Sequence, residues 1–154
     1  MILFLDFDGV LHPMSMYLEK VDLLMWAPLL IEALEPHPHV EIVLSTSWVR
    51  SRGVTRTLEY LPEDLRKRVV GATFDPALFR TCRYDAATRF EQIAQYAERA
   101  NLSRWIAIDD LHEGSELQDW DDAHQDKLIL TDPLRGLSDP AAQARLLTLL
   151  RESK

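Results

Sequence analysis

Five short apolar runs are the main hydrophobic pattern along the chain, and mixed polar and apolar segments separate them. Each run is four to six residues long and rich in aliphatic side chains, a length and composition typical of buried strands. The pattern therefore predicts five strands, over residues 2–5, 40–44, 68–73, 104–108 and 127–131.

Helical patterns lie between these runs. Pro28 suits the first turn of a helix over residues 27–34, and two further helices are predicted over residues 49–60 and 63–67, the second after a leading Pro62.

Two more helices follow in the second half of the chain. The first has Asp85 as its expected N-cap, and the last begins at Asp139 and Pro140, a cap followed by a first-turn proline. One buried face of the first is marked by apolar residues at helical spacing: Phe90, Ile93, Ala94 and Ala97.

Strands and helices thus alternate along the sequence. Such alternation favours an α/β protein, because a parallel sheet needs crossover helices that cover both of its faces. We expect a three-layer, Rossmann-like fold with a five-stranded parallel sheet, and a ligand site where the strands end.

The length of 154 residues predicts a single domain over residues 1–154. No stretch approaches the roughly eighteen apolar residues of a spanning helix, so no membrane partner is expected. Cys82 is the single cysteine, which excludes an intrachain disulfide and favours a reducing cytoplasm.

The net charge of −8 argues against general nucleic-acid binding, which depends on neutralising phosphates. Residues 50–104 are nevertheless relatively basic, with eleven Lys and Arg against seven Asp and Glu. This excess is explained by a solvated helical face or by a basic rim near an anionic substrate.

The first apolar run ends in two carboxylates, Asp6 and Asp8. Two like charges this close repel each other unless a cation or a phosphoryl group uses them. A calcium loop does not fit, because it would follow a helix and would need an oxygen ligand at Val10 and a glycine at Leu11.

Polar residues also follow the second and fourth runs. Ser45, Thr46 and Ser47 offer hydroxyl donors, and Asp109 and Asp110 form a second acidic pair. A nucleophilic carboxylate, hydroxyl donors and an acidic pair that holds a hard cation are the parts that phosphoryl transfer requires.

A basic residue completes such a site. Arg89 is the favoured candidate, because it lies in the first turn of the helix that leads into the fourth strand. Arg80 and Arg83, in the preceding loop, are the alternatives.

These segments together resemble the signature of the haloacid dehalogenase-like (HAD) superfamily. The signature is a strand ending in Asp-x-Asp, then Thr or Ser, then Lys or Arg, then an acidic cluster, and the chain has these parts in order. They read Asp6-Phe-Asp8-Gly-Val-Leu, Leu44-Ser-Thr46-Ser, Arg89-Phe-Glu-Gln-Ile and Ile106-Ala-Ile-Asp109-Asp110.

A narrower resemblance comes from the flanking residues. Asp-Gly-Val-Leu-His-Pro, followed by Ser-Thr-Ser-Trp, is similar to the small phosphatase-like domains grouped with Swiss Army Knife RNA repair proteins.

The superfamily resemblance implies a phosphatase mechanism. Asp6 would attack phosphorus and form an aspartyl-phosphate, while Asp8 would protonate the leaving oxygen and then activate water. Thr46, with Ser47 as an alternative hydroxyl, would hold phosphoryl oxygens, and Arg89 would offset charge in the transition state.

The resemblance also implies a magnesium cofactor. Mg²⁺ would be held by Asp6, the backbone carbonyl of Asp8 and a carboxylate of Asp110 or Asp109, with Asp110 the first choice. Glu113 could assist through water.

Three histidines and two tryptophans suggest other chemistry but fit it poorly. His12, His112 and His124 lack partners at zinc-ligand spacing, so we expect them in loops or at the surface. We expect Trp26 and Trp48 to pack in the core or at its rim.

The superfamily usually chooses substrates with cap insertions, and the two windows for them, residues 12–39 and 49–88, leave room for no sizeable cap domain. An open site suits a phosphorylated macromolecule, such as a nucleic-acid end or a phosphoprotein. The alternatives are a small-metabolite or nucleotide phosphatase and a non-catalytic regulatory module, and intact Asp8 counts against the last.

Overall fold

The computed structural model describes residues 1–14, 22–75, 87–112 and 115–152. All five predicted strands are present within a residue or two of the expected bounds. They are β1 (Ile2–Leu5), β2 (Glu41–Leu44), β3 (Val69–Ala72), β4 (Trp105–Asp110) and β5 (Leu128–Thr131).

The helices also lie where the sequence predicts them, with one division. They are α1 (Ala27–Leu34), α2 (Ser47–Arg52), α3 (Val54–Tyr60), α4 (Glu63–Arg66), α5 (Arg89–Arg99) and α6 (Pro140–Glu152). The prediction of a single helix over residues 49–60 is wrong, because Gly53 has a φ of 81° and separates α2 from α3.

The N-cap of α5 is Thr88. Its side chain accepts a hydrogen bond from the Glu91 backbone N–H at 3.2 Å, and the Glu91 carboxylate accepts one from the Thr88 backbone N–H at 2.7 Å. This reciprocal pair satisfies two free N–H groups of the first turn. Asp85, the cap expected from the sequence, lies outside the described residues.

The strands form one parallel sheet in the order β3-β2-β1-β4-β5. The N-terminal strand is therefore the central one. Just beyond its carboxyl end, the Asp6 backbone N–H donates to the Ile108 carbonyl at 3.1 Å, and the Ser45 N–H donates to the Leu5 carbonyl at 2.8 Å. The ends of β1, β2 and β4 consequently meet at one edge.

Helices cover both faces of the sheet, as the Rossmann-like prediction requires. Leu3 and Leu5 of β1 face a core built with α1, α4 and α6. Phe4, with its side chain on the opposite face, packs in a second core with Ile93 and Ala97 of α5. Strand alternation explains the division, since successive side chains point to opposite faces.

The described residues of the two cap windows are occupied by α1 in one and by α2, α3, α4 and β3 in the other. Each belongs to the sheet or to the layers that cover it. None of the described helices combines the length and the apolar character needed to cross a membrane.

Candidate active site

Asp6, Asp109 and Arg89 meet at the carboxyl edge of the sheet. Asp6 continues the alternation of β1, and Asp109 that of β4, so both carboxylates face the layer of α5. Arg89 is the first residue of α5; its Nε lies 2.7 Å from Asp109 Oδ2, and its Nη2 lies 3.8 Å from Asp6 Oδ1. The capping box at Thr88 fixes where α5 begins and so determines the position of Arg89, the next residue.

Burial makes these charges strongly interdependent. Asp6 is only 3 % exposed, and burial together with the negative charge of Asp109 raises its pKa well above the ordinary value, while Arg89 acts in the opposite direction. Burial also raises the pKa of Asp109, again against the effect of Arg89. The arginine is thus the positive charge that allows two buried carboxylates to share this space.

Asp110 points away from Asp109, as adjacent strand residues must. Its side chain lies against Gly9, where an added Cβ would come within 2.5 Å of Asp110 Oδ2. Gly9 also has a φ of 70°, so both its conformation and the carboxylate beneath it require glycine. The Thr131 hydroxyl donates to the Gly9 carbonyl at 2.8 Å and ties this turn to β5.

His112 contacts the same acidic pair. Its Nδ1 lies 2.8 Å from Asp110 Oδ1 and 3.8 Å from Asp109 Oδ1. The bond to Asp110 raises the pKa of His112 to about 9, so the ring is an imidazolium at neutral pH and donates to the carboxylate. His112 lies in a loop, as expected, but its contact with the acidic pair was not predicted.

The acidic cluster fits a hard divalent cation. Asp110 Oδ2 is buried and has no hydrogen-bond partner among the described residues, while Oδ1 is held by His112. Ligand atoms of Asp109, Asp110 and His112 lie within 4.8 Å of one another. Mg²⁺ prefers oxygen ligands, which the carboxylates offer and the imidazole of His112 does not. The fit therefore rests on the carboxylates.

Asp8 lies apart from the buried cluster, with its side chain 24 % exposed. His12 Nε2 is 3.1 Å from Asp8 Oδ1, and the indole Nε1 of Trp48 donates to Asp8 Oδ2 at 2.7 Å. His12 lies in the loop after β1, as expected, but it is fully buried. Trp48 is buried as expected, but its N–H has a polar partner that the sequence did not suggest.

These two bonds control the charge of Asp8. Burial raises its pKa, but the hydrogen bonds from His12 and Trp48, together with the charge interactions of His12 and Arg52, outweigh burial, and the pKa is lowered. The indole N–H can only donate, so it favours the carboxylate. The ring nitrogen of His12 donates to a carboxylate or accepts from a carboxylic acid according to its tautomer, so His12 can partner both forms of Asp8.

The three polar residues after β2 differ in position. Thr46 is buried, precedes α2 and accepts a hydrogen bond from the Trp48 backbone N–H at 3.4 Å. Ser45 is also buried, and its hydroxyl has no hydrogen-bond partner among the described residues. Ser47 is exposed, as the first residue of α2.

The structure therefore brings Asp6, Arg89, Asp109 and Asp110 together, and Asp8 lies in the turn that follows Asp6. Several residues named from the sequence lie outside the described part of the chain, namely Arg80, Arg83, Cys82 and Glu113. The other two aromatic residues considered from the sequence lie elsewhere: Trp26 packs in the core, and the His124 ring stacks on Trp105.

Sequence reasoning missed the contacts of three residues, His12, Trp48 and His112. The spacing Asp8-x-x-x-His12 was the only local signal for the first. Trp48 contacts a carboxylate forty positions away, and no local pattern encodes such a pairing.

A comparison with protein families agrees with this geometry. The family described as the HAD domain in Swiss Army Knife RNA repair proteins matches residues 2–142. No curated protein and no solved structure matches the chain. The match spans nearly the whole sequence and all four motif segments, and the chain belongs to this family of HAD domains.

Proposed function

We propose that the protein is a Mg²⁺-dependent phosphatase that cleaves phosphoric monoesters through a phosphorylated Asp6. Family membership supports a phosphohydrolase. The observation that carries the finer proposal is that Arg89 contacts both Asp6 and Asp109, while Asp8 is held separately by two hydrogen-bonding side chains.

Asp6 is the proposed nucleophile. Its carboxylate would attack phosphorus while the bond between phosphorus and the leaving oxygen breaks. The product of this step is an aspartyl-phosphate at Asp6. Arg89, 3.8 Å from Asp6 Oδ1, is placed to offset the charge that accumulates on the phosphoryl oxygens. The ion pair between Arg89 Nε and Asp109 Oδ2, which lie 2.7 Å apart, restrains the guanidinium in this position.

Asp6, Asp110 and the backbone carbonyl of Asp8 are the proposed ligands of Mg²⁺. When bound, the cation supplies positive charge that reduces repulsion between anionic substrate and anionic nucleophile. Asp109 is bonded to Arg89 and to the Asp110 backbone N–H, so we assign it to positioning the arginine. His112 orients Asp110 by donating to Oδ1.

Asp8 is the proposed proton carrier. In the first step it gives a proton to the leaving oxygen, and in the second it takes one from the water that attacks phosphorus and regenerates Asp6. The lowered pKa of Asp8 suits the base of the second step. In the first step, His12 as the acceptor tautomer can stabilise the protonated acid.

Thr46 is the proposed hydroxyl contact to the phosphoryl group. It lies two residues after the end of β2, at the sheet edge that also carries Asp6. Ser47 is exposed at the same turn and remains the alternative.

The proposed substrate is the phosphorylated end of a nucleic acid. The description of the family concerns RNA repair proteins, and the described elements around the site leave no separate cap domain above it. A small-metabolite phosphatase remains the second candidate only if an enclosed site forms on substrate binding.

Hydrolysis of an aryl phosphate with Mg²⁺ or with EDTA tests the core of the proposal. Asp6→Asn should abolish turnover, and Asp8→Asn should lower it by about 10²–10⁴-fold. Asp64→Asn, an exposed carboxylate on α4, is the matched control and should keep full activity. Activity that persists in EDTA or in Asp6→Asn would exclude the mechanism.

A further inference from the structure

We propose that Arg52 and Tyr60 form the subsite for the leaving group, and that the group bound there is the nucleotide that carries the scissile phosphate. This inference rests on the proposed function, because it takes Asp8 as the acid that protonates the leaving oxygen. The leaving group must then lie on the side of Asp8.

Exposure identifies the same side. The side chains of Asp6, Asp109 and Asp110 are at most 5 % exposed, whereas that of Asp8 is 24 % exposed. Substrate atoms beyond the phosphoryl group can therefore extend into solvent past Asp8 and its neighbours. The described neighbour that links Asp8 to the surface is Trp48.

Trp48 connects Asp8 to an exposed arginine. Its Nε1 donates to Asp8 Oδ2, and the Cζ of Arg52 lies 4.4 Å from the centroid of the indole ring. One indole ring thus contacts the proposed proton carrier with its edge and an arginine with its face. A contact of this type is a cation–π interaction, which restrains the guanidinium.

Tyr60 completes the group on the neighbouring helix α3. Its hydroxyl accepts a hydrogen bond from Arg52 Nη1 at 3.0 Å, and its ring packs edge-on against Trp48 with centroids 5.1 Å apart. Tyr60 is nevertheless 44 % exposed. Nearly half of the Tyr60 surface is thus free to contact a ligand, next to the restrained guanidinium of Arg52.

The charge of Arg52 is available to an anion. Its hydrogen-bond partner among the described residues is the Tyr60 hydroxyl, and no carboxylate oxygen of the described residues lies within 4.0 Å of its guanidinium. Next to it, α3 also presents the exposed Arg56, and Glu59 is the single acidic residue of α2 and α3. This local excess stands out in a chain with a net charge of −8.

These features match a nucleotide better than a phosphorylated amino acid. Bases stack on aromatic rings and on guanidinium planes, and arginine pairs with the next phosphodiester of a strand. The side chain of phosphoserine or phosphothreonine offers no plane to stack. A metabolite without a ring or a second phosphate would not reach both residues.

The test compares two substrates in wild type, Arg52→Ala and Tyr60→Leu, all with Mg²⁺. One substrate is a single-stranded oligonucleotide with a terminal phosphate, tried at the 5′ and the 3′ end. The other is acetyl phosphate, which has no ring. We expect the ratio of kcat/KM for the oligonucleotide to kcat/KM for acetyl phosphate to fall about tenfold in each variant.

A binding measurement removes the dependence on turnover. In an Asp6→Asn background, the fluorescence anisotropy of a labelled phosphorylated oligonucleotide should show an increase in Kd of about tenfold for Arg52→Ala and a smaller increase for Arg52→Lys, which keeps charge but loses the planar group. Both side chains are exposed, so the fold should tolerate these changes.

Arg151→Ala is the control for loss of one positive charge. Arg151 is exposed near the end of α6. The end of this helix lies at the amino edge of the sheet, opposite the site, because Arg104, just before β4, donates a hydrogen bond to the Glu152 carbonyl. This variant should retain the wild-type ratio and Kd.

The outcomes separate the two proposals. Wild type that hydrolyses acetyl phosphate but neither oligonucleotide end leaves a phosphatase and overturns the nucleotide subsite. An equal loss on both substrates in Arg52→Ala and in Tyr60→Leu also overturns it. Wild type that hydrolyses nothing refutes the proposed function, and the subsite with it.

Discussion

The indole N–H of Trp48 donates a 2.7 Å hydrogen bond to Oδ2 of Asp8, the carboxylate proposed to move protons. Trp48 is the second residue of α2, which follows β2, and Asp8 lies in the turn after β1, so the bond joins segments that follow two adjacent strands. The bond favours the ionised form of Asp8. Its removal should therefore change the pH range over which Asp8 is ionised.

Trp48→Phe should therefore raise the pKa of Asp8. A base with a raised pKa is ionised only at higher pH, so the acidic limb of the kcat profile should move upward by about one pH unit. The measurement is kcat against pH with an aryl phosphate and Mg²⁺.

Trp105→Phe is the matched control, because Trp105 is equally buried but lies on β4 in the other core. A shift of equal size in that variant would show that packing, and not the bond to Asp8, sets the profile.

Arg89→Ala should lower kcat/KM by about 10²–10³-fold, because it removes the positive charge closest to the phosphoryl site and leaves Asp6 and Asp109 to repel each other. Steady-state kinetics will measure the loss. Arg99→Ala changes an exposed arginine at the other end of α5 and should have little effect. Near-normal activity in Arg89→Ala would show that the arginine has no role in catalysis.

Asp6→Asn should stabilise the metal-free protein and weaken its response to Mg²⁺. The folded-state pKa of Asp6 is raised, so ionised Asp6 disfavours folding, and its cost grows as pH rises from the ordinary carboxyl range through the raised pKa. The amide removes this cost, so the free energy of unfolding of the metal-free protein should rise at neutral pH.

Thermal unfolding with and without MgCl₂ gives both values. Wild type should gain stability on adding Mg²⁺, because a cation bound only by the folded state stabilises it. An unchanged Mg²⁺ response in Asp6→Asn would argue that this carboxylate is not a ligand.

Gly9→Ala should cost more than about 2 kcal/mol of unfolding free energy and should abolish the Mg²⁺ response. Alanine at this position would have to adopt a φ of 70°, which strains the backbone, and its Cβ would lie 2.5 Å from Asp110 Oδ2. Backbone strain and steric collision therefore both destabilise the variant.

Gly53→Ala separates these effects. Gly53 has a φ of 81°, but nothing lies within 4 Å of an added Cβ, so this variant should lose only about 1 kcal/mol and keep its Mg²⁺ response. Chemical denaturation curves measure both. Equal losses in the two variants would show that contact with Asp110 is unimportant.

The positions of the strands followed closely from the sequence. Their apolar runs are nearly continuous because both faces of the sheet are covered, and such runs end where polar turns begin. The helix over residues 49–60 was less predictable. Its break depends on Gly53 taking a left-handed conformation, which the local pattern permits but does not require.

The acidic members of the site were also predictable, because Asp6, Asp8, Asp109 and Asp110 directly follow apolar runs whose carboxyl ends must share one edge in a parallel sheet. The directions of the side chains follow from the two-residue period of a strand, which separates Asp109 from Asp110. The sequence thus determined the fold class and the kind of chemistry at the sheet edge.

Only the tertiary structure decided which partners control each charge. The contacts of Asp8 with Trp48, of Arg89 with Asp109 and of Trp48 with Arg52 depend on side-chain directions at the turns and helix starts, where no period applies. Such contacts form when packed elements bring distant residues together. For this reason the sequence could name the two carboxylates of the first turn, but not the histidine, indole and arginine that surround one of them.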